Sequence, residues 1–302
     1  MMQIAVVGGG LMGAGIAQVF AGAGYPVALF EPNSDVRSTV HDRVRGGLAQ
    51  LSADLSAADF VETCETMHQA VASADFVFEA ASEKLQLKQS IFADLIRLAP
   101  QQAILASNTS VIPITRIAYG LDTADRIVGT HWWNPAFLVP LVEVVQAADT
   151  SIETINATMR LLTDVGKRPA HVKKDLPGFV ANRLQHALWR EAIAMVAEGI
   201  CDAATLDACV KNSFGRRLPV LGPLENADLV GLDLTLDIHE TMIPELDRHA
   251  LPHQYLVEKV EAGNLGFKSG IGFRAWTDQE MQTLRTQLAE HLVEMQHKDE
   301  AR

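Results

Sequence analysis

An α/β domain built on a doubly wound, mostly parallel sheet, followed by a smaller all-α domain, is the fold class that three features of the sequence predict. Short apolar runs alternate with helical patterns from the N-terminus to about Lys173, as parallel strands joined by crossover helices do. A glycine-rich turn spanning Gly8 to Gly13 follows the first apolar run and opens a helical pattern. Beyond a polar segment with Pro and Gly, Lys173–Phe179, the pattern is mostly helical. The expected domains are residues 1–174 and 175–302.

In chain order, the strands expected in the first domain are Gln3–Val7, Val27–Phe30, Phe76–Glu79, Ala103–Ala106, Ile127–Thr130, Leu141–Val145 and Arg168–Val172. Each is a short apolar run of the kind buried on both faces of a sheet. Helical spacing covers Leu11–Ala23, Asp35–Leu51, Leu87–Leu98 and Ser151–Val165. The last reads as capped by Thr150 with Glu153, and closed by Gly166. In the second domain the pattern predicts helices over Val180–Ile200, Ala203–Ser213, Ala227–Ile243 and Tyr255–Ala262, with Gln279–His297 as a charged surface or tail helix.

Bulk properties narrow the function. The 302 residues are 48% hydrophobic and 21% charged, an ordinary globular balance. Lys and Arg number 25 against 37 Asp and Glu, for a net charge of -12. That argues against nucleic-acid binding, which needs a basic face. No apolar run is long enough to span a bilayer, and the first reads as a strand rather than a signal peptide. Three cysteines without close spacing, Cys64, Cys201 and Cys209, suit a reducing, cytoplasmic setting.

The glycine turn has the order that a dinucleotide requires. Gly8 permits the tight turn, Gly10 lets the backbone approach phosphate, and Gly13 lets helix and strand pack closely. Leu11 and Met12 lie between them at the helix start, where free N–H groups and the positive end of the dipole face the pyrophosphate. The second strand ends at Glu31, near the offset at which a carboxylate accepts from the adenosine ribose hydroxyls. Glu31 also repels a 2′-phosphate, which favours NAD over NADP; Arg37 nearby keeps the second open.

Further along, "IVGTHWWNPAFLVPLVEVV" brings His131 to a strand end and interrupts an apolar run with Glu143. A Glu–His pair fixes the imidazole tautomer and raises the basicity of the other nitrogen, as a general base for an alcohol needs. A core histidine on a structural acid is the competing reading. Ser107, Asn108, Thr109 and Ser110 cluster past another strand; for Thr109 and Ser110 an ordinary polar cap before the next helix is preferred. Asn182 falls in the first turns of the long helix after the linker, where an interdomain structural hydrogen bond is the preferred reading. Glu79, Glu83 and Lys88 read by default as a solvated charged face.

These pieces, "GGGLMGAG", "EAASEKLQLKQ", "SNTS", "THWWNP" with "LVEVV", "DLPGFVANR", "GPLENADLVGLD" and "GFKSGIGF", together resemble the L-3-hydroxyacyl-CoA dehydrogenase family. The resemblance covers nearly the whole chain. It implies a Rossmann-type domain, a helical domain that commonly forms a homodimer, and hydride transfer between an alcohol and NAD. By matching position, it implies His131 as catalytic base, Glu143 as the acid orienting it, and Ser107 and Asn182 as the groups holding substrate oxygens. Glu83, Lys88, Asn134 and Lys268 match positions around the cofactor.

Departures from the family pattern bear on the substrate. Trp132–Trp133 replaces the usual Phe pair, which predicts a bulkier pocket wall. Gly46 to Glu83 contains no Lys or Arg, a poor surface for the phosphates of CoA. Arg216 and Arg217 form a basic pair resembling relatives that oxidise free acids, such as carnitine and gulonate dehydrogenases; an Arg217 fork would clamp a carboxylate. A 3-hydroxyacyl-CoA and a small free hydroxy acid are both expected small-molecule substrates at this point. A non-catalytic, crystallin-like protein is the reading from another class, and the intact set Ser107, His131, Glu143 and Asn182 argues against it.

Overall fold

Eight strands form one sheet in the computed structural model, which describes residues 2–300. The strands are β1 (Ile4–Val7), β2 (Val27–Phe30), β3 (Val61–Cys64), β4 (Phe76–Glu79), β5 (Ile104–Ser107), β6 (Ile127–Trp132), β7 (Leu141–Val145) and β8 (Arg168–Val172). They lie in the order β3-β2-β1-β4-β5-β6-β7-β8. Every pair is parallel except β6 with β7. The order reverses between β1 and β4, the switch point outside which such sheets bind ligands.

The helices are α1 (Leu11–Gly22), α2 (Ser34–Ser38), α3 (Val40–Gln50), α4 (Met67–Val71), α5 (Leu85–Leu98), α6 (Ile114–Ile117), α7 (Ile152–Asp164), α8 (Ala181–Ala197), α9 (Ala203–Asn212), α10 (Pro223–Val230), α11 (Leu232–Met242), α12 (Gln254–Glu261) and α13 (Asp278–Glu300). Strand alternation sends side chains to two separate cores. Ile4, Val6, Phe76, Phe78, Val128 and Trp132 pack with Phe20 of α1 and Leu161 of α7 on one face. Ala5, Val7, Val77, Leu105, Ile127 and Val145 pack with Ile91, Phe92 and Leu95 of α5 on the other.

Several expected elements come out differently. β3 was not expected: it is a short edge strand in which only Val61 and Cys64 are buried, so its apolar signal is weak. The helix expected over 35–51 is two, α2 and α3, meeting at Thr39. The helix expected over 227–243 is also two, and Gly231 separates α10 from α11 with φ 103°. Thr150 is not the cap of α7. Ser151 is, accepting from the backbone N of Thr154. The Thr150 hydroxyl instead donates to the Ile127 carbonyl at 2.7 Å.

The chain divides into two compact units, residues 2–183 with 289–300, and Leu184–Leu288. That division falls inside α8. In the Leu184–Leu288 unit the buried apolar side chains are Ala194 and Met281, whereas Leu188, Ile200, Val220, Leu224, Leu229 and Leu232 are exposed.

Candidate active site

At the switch point the backbone forms a cradle. Gly8 has φ 108°, a conformation side chains disfavour, and a Cβ there would lie 2.8 Å from the Ala80 carbonyl oxygen. A Cβ on Gly13 would lie 1.8 Å from the Gly8 carbonyl oxygen. These two glycines are therefore needed by the fold itself. Gly10 differs: a Cβ there meets nothing within 4 Å. It caps α1 with no side-chain hydrogen bond, leaving the helix N-terminus open to an anion. Leu11 is exposed at this end, and Met12 packs partly against the core. The cradle fits the pyrophosphate of NAD.

Glu31 closes the side of the cradle. Its carboxylate accepts from the backbone N of Gly9 at 2.7 Å and of Asn33 at 2.9 Å. Arg37 donates to the Glu31 carbonyl oxygen at 2.7 Å, so its guanidinium is engaged with the backbone beside the carboxylate.

His131 and Glu143 are direct cross-strand partners on β6 and β7. Nδ1 of the imidazole lies 2.7 Å from one carboxylate oxygen. The other oxygen accepts from the backbone N of Val180 at 2.9 Å and of Ala181 at 3.1 Å, where α8 begins. Burial pushes the Glu143 carboxyl up, but the bonds to His131, Ala181 and Val180 outweigh it and hold the group below the usual carboxylate range. An ionised Glu143 keeps the proton on Nδ1 and makes Nε2 the basic nitrogen. The rings of Trp133 and Phe179 lie 5.2 and 5.7 Å from the imidazole.

Trp132 is not a pocket wall. Alternation turns it to the opposite face from His131, where it is 2% exposed and packs against Phe20 and Phe78. Lys167, with Nζ 5.7 Å from that indole ring, donates to the carbonyls of Ala136 and Val139 at 2.5 and 3.1 Å.

Glu79 and Lys88 are not on a solvated face. Both are fully buried, and Nζ lies 2.7 Å from Oε1. Ser107, also fully buried, donates its hydroxyl to Oε2 of Glu79 at 2.7 Å. The backbone N of Ala81 donates to Oε1 at 2.7 Å. Glu83 stands 3.6 Å from Lys88. Its carboxylate receives the Thr109 hydroxyl and the backbone N–H groups of Ser110 and Val111. Thr109 and Ser110 thus anchor a loop on Glu83 and cap no helix; α6 begins later, behind Pro113. Burial raises the Glu83 carboxyl, and the Thr109, Val111, Lys88 and Ser110 contacts together bring it below its ordinary range.

Asn108 accepts from the backbone N of Trp132 at 3.0 Å. Asn134 is exposed ahead of a cis peptide bond to Pro135. Asn182 donates to the Ser110 carbonyl at 3.1 Å. Lys268 belongs to the Leu184–Leu288 unit and is exposed in the turn bridged by Gly266 and Ile271. Arg217 lies in that same unit, where it lines a hollow of about 310 Å³ with Phe214, Leu218, Leu221, Pro223 and Asn226. Two residues escaped sequence reasoning, Glu79 as an internal acceptor and Lys167. For the first, a signal existed: Lys88 shares the helical stripe of Ile91, Phe92 and Leu95, all buried.

A Rossmann-type sheet with this glycine cradle defines a class, the NAD-dependent dehydrogenases, and the relatives of this chain place it among those acting on CH–OH groups. Residues 3–176 match the model for the NAD binding domain of 3-hydroxyacyl-CoA dehydrogenase, and residues 178–276 match the model for its C-terminal domain. The chain belongs to the 3-hydroxyacyl-CoA dehydrogenase family.

It is 32% identical over 300 residues to 5-formyl-3-hydroxy-2-methylpyridine 4-carboxylate 5-dehydrogenase of Mesorhizobium japonicum, covering 96% of each chain. It is 38% identical over 283 residues to the probable 3-hydroxybutyryl-CoA dehydrogenase of Bacillus subtilis, covering 90% of this chain and 96% of that one. Among solved structures, it superposes on a 5-formyl-3-hydroxy-2-methylpyridine 4-carboxylic acid 5-dehydrogenase, described as an NAD+ dependent dismutase. The TM-score is 0.90 at 31% identity, covering 100% of both chains.

Proposed function

We propose that this chain interconverts an alcohol and a carbonyl on a small free carboxylic acid, with the reacting carbon β to the carboxyl carbon and His131 as base. The observation that carries the choice of a free acid over a CoA thioester is the placement of charge. No Lys or Arg occurs from Gly46 to Glu83, while Arg216 and Arg217 stand together, Arg217 among the residues lining a hollow. The full-length similarity to a dehydrogenase of a pyridine carboxylate supports the same choice.

In oxidation, Nε2 of His131 takes the hydroxyl proton, and the Glu143 carboxylate stabilises the imidazolium that forms. In reduction the same nitrogen returns the proton. A positioned base of this kind contributes about 10²–10⁴-fold. NAD, when bound, supplies the acceptor for the hydride. Gly8, Gly10, Leu11, Met12, Gly13 and Glu31 hold it, with Glu83, Lys88 and Asn134 around it. Ser107 and Asn182 hold substrate oxygens, and the Arg217 guanidinium offers a bidentate fork to a carboxylate. The chain works as a cytoplasmic homodimer. The exposed leucines of α10 and α11 support the dimer, and three cysteines without close spacing suit the compartment.

The test is a substrate screen by NADH absorbance, with His131→Gln as control. Small β-hydroxy acids are expected to turn over faster than 3-hydroxybutyryl-CoA. Arg217→Ala is expected to raise KM for the acid by about 10-fold or more, the scale of a charge-assisted pair. Fast turnover of the CoA ester, unchanged by Arg217→Ala, overturns the free-acid reading.

A further inference from the structure

Lys167 carries a cation that the proton transfer above does not use. It stands between α7 and β8 and is 7% exposed. Among the described residues no carboxylate pairs with its ammonium. Its partners are the carbonyl oxygens of Ala136 at 2.5 Å and Val139 at 3.1 Å, with the Trp132 indole 5.7 Å away. The next residue extends the grip, since the backbone N of Arg168 donates to the Pro140 carbonyl at 2.9 Å. Three carbonyls of the loop between β6 and β7 are thus held from one point of the chain.

That loop joins the strand of His131 to the strand of Glu143. Its first residue sets the Trp133 ring 5.2 Å from the imidazole. Its middle lies on the dinucleotide helix. Ala136 is buried in one core with Ile16, Ala17 and Phe20 of α1. Gly15 of α1 passes so near that a Cβ there would lie 3.1 Å from the Ala136 Cβ. A buried ammonium has lost its hydration and is stabilised by the oxygens that replace it. Lifting the loop from α1 would withdraw those oxygens and strand the charge among hydrocarbon. Closure of the loop and burial of the cation are therefore one event.

We propose that Lys167 is a positioning residue that locks the β6–β7 loop on α1, so that one ammonium fixes both the Trp133 ring beside the base and the loop's seat on the dinucleotide helix. The inference rests on the reading above in taking His131 as the base; the contact between loop and helix stands without it.

A double-mutant cycle tests it, with Lys167→Met, Gly15→Ala and both together. The first removes the lock, and the second pushes the loop from the helix side and leaves the ammonium in place. Each variant is read in kcat and KM for the best β-hydroxy acid and, independently of any alcohol, in NADH affinity by fluorescence titration, at a temperature where circular dichroism shows it folded. Lys167→Met is expected to lower kcat by about 10-fold or more, with KM for the acid within about threefold, because misplacement of groups at the reacting centre costs rate steeply. NADH affinity is expected to weaken by about threefold or more. The double variant is expected within about twofold of the worse single one, because both act on one contact.

A Lys167→Met protein that melts lower but keeps kcat and NADH affinity within about twofold of wild type reduces Lys167 to a structural group and overturns the proposal. Factors that multiply in both assays overturn it as well. Absence of wild-type turnover on every hydroxy acid sinks the reading above instead, and the NADH cycle still decides for Lys167. Should Lys167→Met fail to fold, Lys167→Gln, which keeps an N–H donor without the charge, is read against the same limits.

Discussion

The Glu143 carboxylate divides its two oxygens between Nδ1 of His131 and the first backbone N–H groups of α8. A glutamine cannot do both. If its carbonyl oxygen keeps the backbone donors, its amide N–H₂ faces Nδ1 and moves the ring proton to Nε2, which removes the base. Glu143→Gln is expected to lower kcat by about 10²–10⁴-fold, by analogy with a triad acid exchanged for its amide. Steady-state rates followed by NADH absorbance check this.

The same carboxylate predicts a pH dependence. Its folded-state pKa lies below the ordinary value, so the unfolded chain binds the proton more readily. The stability it contributes is complete above the unfolded value of about 4.3 and is lost as pH falls through the lower folded value. Urea midpoints between neutral and acid pH should fall more steeply for wild type than for Glu143→Gln. Equal slopes would mean that the carboxylate is not held ionised.

Lys167 predicts a dependence at the other end of the scale. Burial pushes its ammonium down to about 8. Between about 8 and the unfolded value of about 10.4 the unfolded chain holds a proton that the folded chain has released, so stability rises with pH there. Lys167→Met should flatten that rise. It should also destabilise the protein by about 1–3 kcal/mol, because the carbonyls of Ala136 and Val139 lose their donor. Urea titrations at pH 7 and pH 10 measure both.

Glycine substitutions should separate fold from ligand. Gly13→Ala drives a Cβ into the Gly8 carbonyl and is expected to unfold the turn. Gly10→Ala meets open space and is expected to leave stability within about 1 kcal/mol. Its methyl then occupies the space that phosphate needs, so NADH affinity should drop by about 10-fold or more. A Gly10→Ala protein that binds NADH normally would remove this residue from the cradle.

The tryptophan pair should behave asymmetrically. Trp132→Ala opens a cavity in the core and is expected to cost about 3–5 kcal/mol. Trp133 is half-buried against His131, so Trp133→Ala is expected to change kcat/KM far more than the melting temperature. Thermal melts and rates on both variants decide.

Much of this was legible from residues alone, where neighbours in sequence act together. The strand–glycine–helix order at Gly8 to Gly13 is local, as is the acid at the end of β2, and both stand where they were expected. The pairing of His131 with Glu143 follows from one antiparallel hairpin. What escaped depends on distant partners. Ser107 and Glu79 are far apart in the chain, and no spacing rule joins them. Trp132 was misplaced because a doublet was read as one feature, although strand alternation must send its members to opposite faces. β3 was missed because an exposed Glu62 breaks an already short apolar run. Thr150 and Ser151 both satisfy the rules for a cap, and only the pull of the Ile127 carbonyl on Thr150 separates them.

The Lys88 ammonium also sets where α5 can stop along the sheet. Sliding this helix by one turn would bring Phe92 to the Glu79 carboxylate and strand the ammonium among hydrocarbon, leaving two uncompensated ions at a cost of several kcal/mol. Apolar side chains alone interchange readily between such positions; a single buried cation does not. The crossover is thereby keyed to one axial setting, and the loop after β4 that carries Glu83 inherits its position from that key.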